Sequence, residues 1–255
     1  MKQKPYILTI AGFDPSSGAG ITSDIKTFEA HDLYGLSVCT AITIQNDITL
    51  KDCIWMDRTV ILSQIETLFE RFFISTVKIG IVQSWKLLEE IINVLYKLNP
   101  TIAIVLDPIL KASSGFDFHP SSDLEILSNV LEKCDFVTPN YNEIKSLLPN
   151  KNVDQTIAFI STKTNVYLKG GHRTDKKGWD EIYHSGIVQI NIEPEVDKIH
   201  DKHGSGCVLS SALASNLSKG ILLEDACRNA KRYTEQFLNS NDTLLGNHNY
   251  NTNDK

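Results

Sequence analysis

Short apolar runs of strand length alternate along this chain with longer stretches in which apolar residues return every three or four positions. The run "PYILTIAG" ends at Gly12 and reads as a buried strand. In "GITSDIKTFEAHDLYG", Ile21, Ile25 and Phe28 recur at helical spacing, with Gly35 as the stop. "LSVCTAITIQ" and "CIWMD" return to strand character, and the spacing then predicts a helix over 58–72, "TVKIGIV" as a strand, a helix over 84–98 and "TIAIVLDP" as a strand. The later half repeats the scheme. "CDFVTPN" leads into a short helix, another covers 153–163, "NVYLKGG" is a strand, "WDEIYHSGIVQINI" is patterned as a hairpin, and helices over 205–218 and 223–239 follow.

Strands alternating with helices imply βαβ units and a mainly parallel sheet covered on both faces, an α/β fold. No Pro/Gly/Ser-rich linker and no internal repeat interrupts residues 1–240, which are expected to form a single domain. Residues 241–255, "NDTLLGNHNYNTNDK", are polar and aperiodic and are expected to be a flexible tail. Ligands of open parallel sheets bind beyond the carboxyl ends of the strands. The residues there are the 12–20 stretch, Gln45 and Asn46, Gly80, Asp107, Asn140 to Glu143, Lys169 to Gly171, and Gly204 to Cys207.

Composition narrows the chemistry. At 255 residues, with 42% hydrophobic and 22% charged positions, the chain has the make-up of a soluble globular protein. A net charge of −6 argues against a nucleic-acid partner, which wants a basic face. Phosphorylated metabolites stay open, because local amide dipoles and a metal can bind them on an acidic protein. No run approaches the roughly 18 apolar residues of a membrane span, and no signal peptide is expected. The five cysteines are odd in number and contain no C-x-x-C pair, so neither a disulfide framework nor a zinc site is expected, and a reduced cytoplasmic protein is.

Several strand-end residues have chemistry beyond punctuation. Gly204 and Gly206 flank Ser205 just ahead of the run carrying Leu209, Leu213 and Leu217, so the loop can present bare N–H groups, with the helix dipole behind them, to an anion. A plain turn capped by Ser205 would also account for it. Cys207 in that first turn is expected to have a lowered pKa and to serve as a base toward a hydroxyl, the alternative being an inert buried thiol. Asp107 and Glu143, at the ends of separate strands, suit a magnesium ion that keeps waters and phosphate oxygens; each alone could be a cap or a solvated acid. Lys169 could neutralise a phosphate or simply lie on the surface. Gln45 ends an apolar strand, and its amide can pair with an exocyclic amine and a ring nitrogen at once, as a 4-aminopyrimidine requires, or stabilise a turn. His203 and His172 stand beside these residues without metal-ligand spacing. No G-x-x-x-x-G-K-[ST] occurs, and "GAGITS" supplies only part of a dinucleotide fingerprint.

Together, "TIAGFDPSSGAGITSDIKTF", "AITIQN", "KIGIV", "LDPIL", "TPNYNE", "LKGGH" and "HGSGC" resemble, in order and spacing, the hydroxymethylpyrimidine/phosphomethylpyrimidine kinases of thiamine biosynthesis, members of the ribokinase-like superfamily. The resemblance spans residues 6 to 240. It implies a three-layer α/β/α fold, usually homodimeric, and two ATP- and Mg2+-dependent phosphoryl transfers. The first converts 4-amino-5-hydroxymethyl-2-methylpyrimidine to its monophosphate, and the second makes the diphosphate. It further implies that Gln45 grips the aminopyrimidine in a pocket with Gly12, Ala19, Asp24, Gly80 and Ile109. Asp107 and Glu143 would serve magnesium, Lys169 and Asn140 would bind ATP, and Gly204, Ser205, Gly206 and Cys207 would hold the transferring phosphoryl group. Two positions depart from the family pattern: Ser205 replaces a common threonine and Ser17 a frequent glycine, and the ending after Gly246 is abbreviated. The rival readings are a pyridoxal or pyridoxine kinase on the same scaffold and a non-catalytic pyrimidine-binding protein.

Overall fold

Uninterrupted apolar runs must be covered on both faces, and here they become the inner strands of a nine-stranded sheet. The structure, a computed structural model, describes residues 4–109, 124–171, 173, 176–196 and 200–248. In chain order the elements are β1 (Tyr6–Phe13), α1 (Gly20–Ala30), β2 (Tyr34–Gln45), β3 (Leu50–Trp55), α2 (Arg58–Arg71), β4 (Ile74–Ile79), α3 (Trp85–Leu98) and β5 (Ala103–Leu106). There follow α4 (Leu124–Glu132), β6 (Phe136–Val137), α5 (Tyr141–Leu147), α6 (Val153–Ser161), β7 (Asn165–Leu168), β8 (Asp180–His184), β9 (Ile187–Ile192), α7 (Ser205–Ser218) and α8 (Leu223–Leu238).

The strand order is β3-β2-β1-β4-β5-β6-β7-β8-β9. All pairings from β2 to β7 are parallel, and the flanking β3, β8 and β9 are antiparallel. Side chains alternate across a strand, so neighbours in β1 serve different cores. Leu8 and Ile10 pack with Ile61 and Ile65 of α2, Ile91 and Leu95 of α3, and Ile157 and Ile160 of α6. Ile7 packs with Phe28 of α1, Val208 and Ala212 of α7, and Ala230 of α8. Helices therefore cover both faces in three layers.

The hairpin expected from "WDEIYHSGIVQINI" forms β8 and β9, joined at Ser185 and Gly186 with φ of 52° and 82°, the left-handed pair that a tight two-residue turn needs. Three expectations need correction. Gly35 does not stop α1: the helix ends at Ala30, Asp32 turns the chain with φ 58°, and Gly35 already pairs with Ile7 inside β2. The fully buried face of α1 is Ser23, Asp24, Thr27 and Phe28, while Ile21 and Ile25 are only half-buried. Asp24 and Thr27 find hydrogen-bond partners on that face, whereas the buried Ser23 hydroxyl has none among the described residues.

Second, α4 has no counterpart among the helices that the spacing predicts. Its nine residues bury only Leu127, Val130 and Leu131, too short a stretch for helical periodicity to emerge.

Third, the start of the polar C-terminal segment is packed. Leu244 O accepts from His203 N at 2.9 Å, and Asn241 O accepts from Lys202 Nζ at 2.6 Å. His248 Nδ1 lies 3.0 Å from the Tyr233 hydroxyl. Residues 249–255 lie outside the described part.

Candidate active site

Each parallel strand hands its last ladder bond to the residue just past it. Gly80 N donates to Ile10 O, Asp107 N to Ile79 O, Thr138 N to Leu106 O and Lys169 N to Pro139 O, all at 2.9 Å. These residues are thus fixed in one row at the carboxyl end of the sheet, where an open α/β sheet binds its ligand.

From the end of the row, Lys169 Nζ reaches back to within 2.9 Å of Asp107 Oδ1 and 3.9 Å of Glu143 Oε2. Asp107 is buried and also accepts from Thr138 Oγ1 and Ser210 Oγ, each at 3.2 Å. Burial works against the Lys169 charge, but Asp107 and Glu143 outweigh it and raise the lysine's pKa. Glu143 is the odd carboxylate of the three groups. Burial pushes it up to about 7, against the pull of Lys169 and with the push of Asp107. Its Oε2 accepts from Asn140 N at 2.6 Å, and Asn140 Oδ1 accepts from Asn142 N and Glu143 N, a reciprocal cap that opens α5. The Asn140 oxygen is committed to that cap, so only its amide nitrogen is left for a ligand.

Facing the pair is the start of α7. Gly204 is its N-cap, with φ 78° and no side-chain cap, so the alternative of Ser205 as the capping residue does not hold: Ser205 is the first helical residue. Only glycine fits position 204, because a Cβ would lie 2.0 Å from Gly18 O. At Gly206 the hydrogen instead leaves room. A Cβ there would sit 3.3 Å from Lys169 Nζ and 3.9 Å from Asp107 Oδ2, so the uncapped amides, the lysine and the carboxylate share one space.

Cys207 overturns one expectation. Its pKa does not fall: burial pushes the thiol up to about 11, with Asp24 and Asp107 adding to the rise and Lys78 opposing it. The helix dipole is outweighed because the sulfur lies inside the protein, 7% exposed.

Behind Cys207 lies a second lysine–carboxylate pair that the sequence pattern does not single out. Lys78 Nζ donates to Asp24 Oδ1 at 3.0 Å and Oδ2 at 2.8 Å, and both side chains are 0% exposed. Thr9 Oγ1 (2.6 Å) and Ser211 Oγ (2.7 Å) complete the carboxylate's partners. Asp24, expected in the substrate pocket, has both oxygens committed to Thr9, Lys78 and Ser211. The available signal was a lysine inside the apolar run "TVKIGIV".

Beyond β1, β2 and β4 the surroundings turn apolar. Ala41 and Ile81 pack with Leu50, Cys53, Trp55 and Ile109. Gly12 lies directly beneath Ile81, and Gly80 lies against Ala11 and the Lys78 ammonium. Gln45 ends β2 on the face shared with Ala41 and Thr43, half-buried, and its amide makes no hydrogen bond among the described residues. The loop between β1 and α1 closes this side. Asp14 accepts from Ser16 N, Ser16 Oγ and Ala19 N, each at 2.8 Å, and faces His203 Nε2 at 2.9 Å. Burial alone would raise Asp14, but these donors, His203 foremost, hold its carboxyl below the usual value. Ser17 in this loop has φ 61°, a left-handed backbone that suits the glycine frequent at this position in the family it resembles. His172 lies outside the described residues.

A lysine–carboxylate pair set against uncapped helix amides, beside an apolar slot at the end of a parallel sheet, is equipment for phosphoryl transfer to a small molecule. Comparison with known proteins agrees on the class and narrows it. The chain belongs to the phosphomethylpyrimidine kinase family, whose pattern matches residues 14–253. It is 35% identical over 245 residues to the hydroxymethylpyrimidine/phosphomethylpyrimidine kinase of Aquifex aeolicus, covering 91% of this chain and 94% of that one. A crystal structure of phosphomethylpyrimidine kinase from Clostridium difficile superposes with a TM-score of 0.72 at 33% identity, covering 91% of this chain and 98% of that one. Pyridoxal kinase from Staphylococcus aureus, in complex with AMP-PCP and pyridoxal, gives a TM-score of 0.79 at 25% identity, covering 94% and 89%. The ribokinase-like expectation for the fold holds. The chain spans about half the length of its plant relatives: 46% of the probable thiamine biosynthetic bifunctional enzyme of rice, at 32% identity over 95% of this chain. Among the described residues, no helix is long and apolar enough to cross a membrane.

Proposed function

We propose that this chain uses ATP to phosphorylate 4-amino-5-hydroxymethyl-2-methylpyrimidine and then its monophosphate, in thiamine biosynthesis. The observation that carries the reading is the space at Gly206, where uncapped α7 amides meet Lys169 and Asp107. Phosphoryl transfer needs little covalent help from a protein and much positioning and charge neutralisation. The α7 amides of Ser205 and Gly206 hold the terminal phosphate, and Lys169 leaves Asp107 in part to meet the charge that develops. Glu143 and Asp107 suit a magnesium ion: they converge on one ammonium, and two carboxylates with phosphate oxygens and water are what that ion takes. No cage of three or more His, Cys, Asp or Glu occurs among the described residues, in keeping with a metal that arrives with its nucleotide. When bound, it neutralises phosphate charge. Glu143, which burial has pushed toward protonation, gains a partner for its charged form.

Gln45, with its amide free, takes the amino group and ring nitrogen, while Gly12, Ala19, Ala41, Ile81 and Ile109 enclose the ring. Asp24 acts from behind, holding Lys78 beneath Gly80 and Cys207. The thiolate form of Cys207, a small fraction at neutral pH because the thiol is pushed up to about 11, accepts the hydroxyl proton in the first transfer. The second transfer attacks with a phosphate oxygen and needs no such base. The protein acts in the cytoplasm as a homodimer, a state supported by the exposed apolar residues Ile42, Ile44 and Ile54 on β2 and β3.

A second reading, pyridoxal kinase, is favoured by the Staphylococcus aureus likeness. A pyridine ring lacks the amino–nitrogen pair that Gln45 matches, which makes it the weaker of the two. The test is ATP consumption across pyrimidine and pyridine alcohols, with products identified by mass and Gln45→Ala run alongside. The aminopyrimidine should be the better substrate by kcat/KM, and Gln45→Ala should weaken its binding by about 1–3 kcal/mol. Pyridoxal as the better substrate would transfer the assignment, and unchanged affinity in Gln45→Ala would remove that residue from the pocket.

A further inference from the structure

We propose that His203 is a positioning residue for phosphoryl transfer, clamping the substrate-side loop at residues 14–19 onto the phosphate-side loop at 204–207. This rests on the reading of 204–207 as the phosphate cradle.

His203 touches two segments far from it in sequence, the loop at 14–18 and residue 244. Its Nε2 lies 2.9 Å from Asp14 Oδ2; a carboxylate only accepts, so Nε2 carries the proton. Both groups are sheltered, at 15% and 1% side-chain exposure, so water competes poorly for the bond. Asp14 in turn organises its own loop through Ser16 and Ala19, and Ala19 is the N-cap of α1. The imidazole also lies against Gly18, where a Cβ would come within 2.6 Å of His203 Cδ2 and 2.8 Å of Leu245 Cδ2. His203 N donates to Leu244 O, tying in the C-terminal segment. The next residue is Gly204, pressed against Gly18 O.

The two loops thus meet along His203–Gly204 and Gly18–Ala19, with one imidazole as the joint. On the proposed reading, Ala19 belongs to the alcohol's pocket and Gly206, facing Lys169 and Asp107, to the phosphate's. The joint therefore sets the distance between nucleophile and phosphorus, without His203 itself reaching either. Misplacement by about 1 Å costs on the order of 100-fold in rate. The loss belongs in kcat, because each half-site still binds its own ligand.

The test is steady-state kinetics on His203→Ala, Asp14→Ala, the double variant, His203→Gln and Gly206→Val, with the hydroxymethylpyrimidine and ATP varied. Folding is checked by circular dichroism well below melting. His203→Ala should lose about 100-fold in kcat, with KM for ATP within about 3-fold. The double variant should be no more than about 3-fold slower than Asp14→Ala alone, since both remove one joint. His203→Gln, whose amide can donate to the same oxygen, should stay within about 10-fold of the parent. Losses that multiply in the double variant, or a glutamine variant as slow as alanine, overturn the clamp. If the alanine variants do not fold, His203→Gln against His203→Met decides the same question: glutamine active and methionine slow supports the clamp, and equal rates overturn it. Gly206→Val separates the two readings. If it is inactive while the His203 variants are silent, the clamp alone falls; if it is fully active, the cradle falls and the clamp with it.

Discussion

Two lysine–aspartate pairs act electrostatically on Cys207, and they differ in how far each is sealed from solvent. Lys78–Asp24 is sealed, with both side chains at 0% exposure and every strong partner supplied by the protein. Lys169–Asp107 keeps an opening: Lys169 is 12% exposed and looks across Gly206 at uncapped amides. Lys169 also has Glu143 at 3.9 Å, and its exposure is what lets it meet a ligand. A sealed pair fixes its neighbours, whereas an open pair can be exchanged for something else.

The largest effect that separates them is on stability. Lys78→Met should destabilise the protein by about 3–5 kcal/mol in denaturant unfolding, because it strands a buried carboxylate. A loss under about 1 kcal/mol would mean the pair is not sealed. Lys169→Met should lower kcat by about 10²–10³-fold, with a smaller stability loss than Lys78→Met because Asp107 keeps Thr138 and Ser210 as donors and its site opens to water. Comparable stability losses in both variants would erase the distinction.

Cys207, acted on by both pairs, sharpens it. With its thiol pushed up to about 11, the thiolate fraction grows tenfold per pH unit below that value. Stopped-flow rates of the first transfer should therefore climb about tenfold per unit from pH 6 to 9, and those of the second should stay flat. A flat first transfer would remove the thiolate as proton acceptor.

The smallest effect belongs to Glu143, beside the open pair. Its carboxyl is raised from 4.5 to about 7, so the folded state holds a proton that the unfolded state has released. That contribution to stability is complete below about pH 4.5 and is lost as pH rises through about 7, up to about 3 kcal/mol. Glu143→Gln should flatten this slope in urea unfolding between pH 5 and 8. An unaltered slope would place the titration elsewhere.

Much of the molecule is legible in its sequence. Strand-length apolar runs set the parallel core, and Asp107, Glu143, Lys169 and Gly206 stand out because polar and glycine residues close those runs. What stays hidden is contact between elements. Lys78 is visible as a lysine in an apolar strand, but its partner Asp24 is 54 residues away, and nothing local joins them. The expectation for Cys207 rests on the helix dipole alone, and burial, a tertiary property, reverses its sign. Residues 241–248 look loose in sequence for the same reason: their partners, His203, Lys202, Phe237 and Tyr233, are supplied by other segments.

The first strand's loop is completed by residue 203, and α1 meets the last described turn where Thr27 Oγ1 lies 3.5 Å from His248 Nδ1. Contacts across 189 and 221 positions are among the slowest a chain can close. A ribosome releases those partners after every strand, so a nascent copy with only its first two hundred residues emerged holds the sheet's strands but lacks the means to finish its opening loop. Competence for the reaction arrives only once residues 203–248 have emerged.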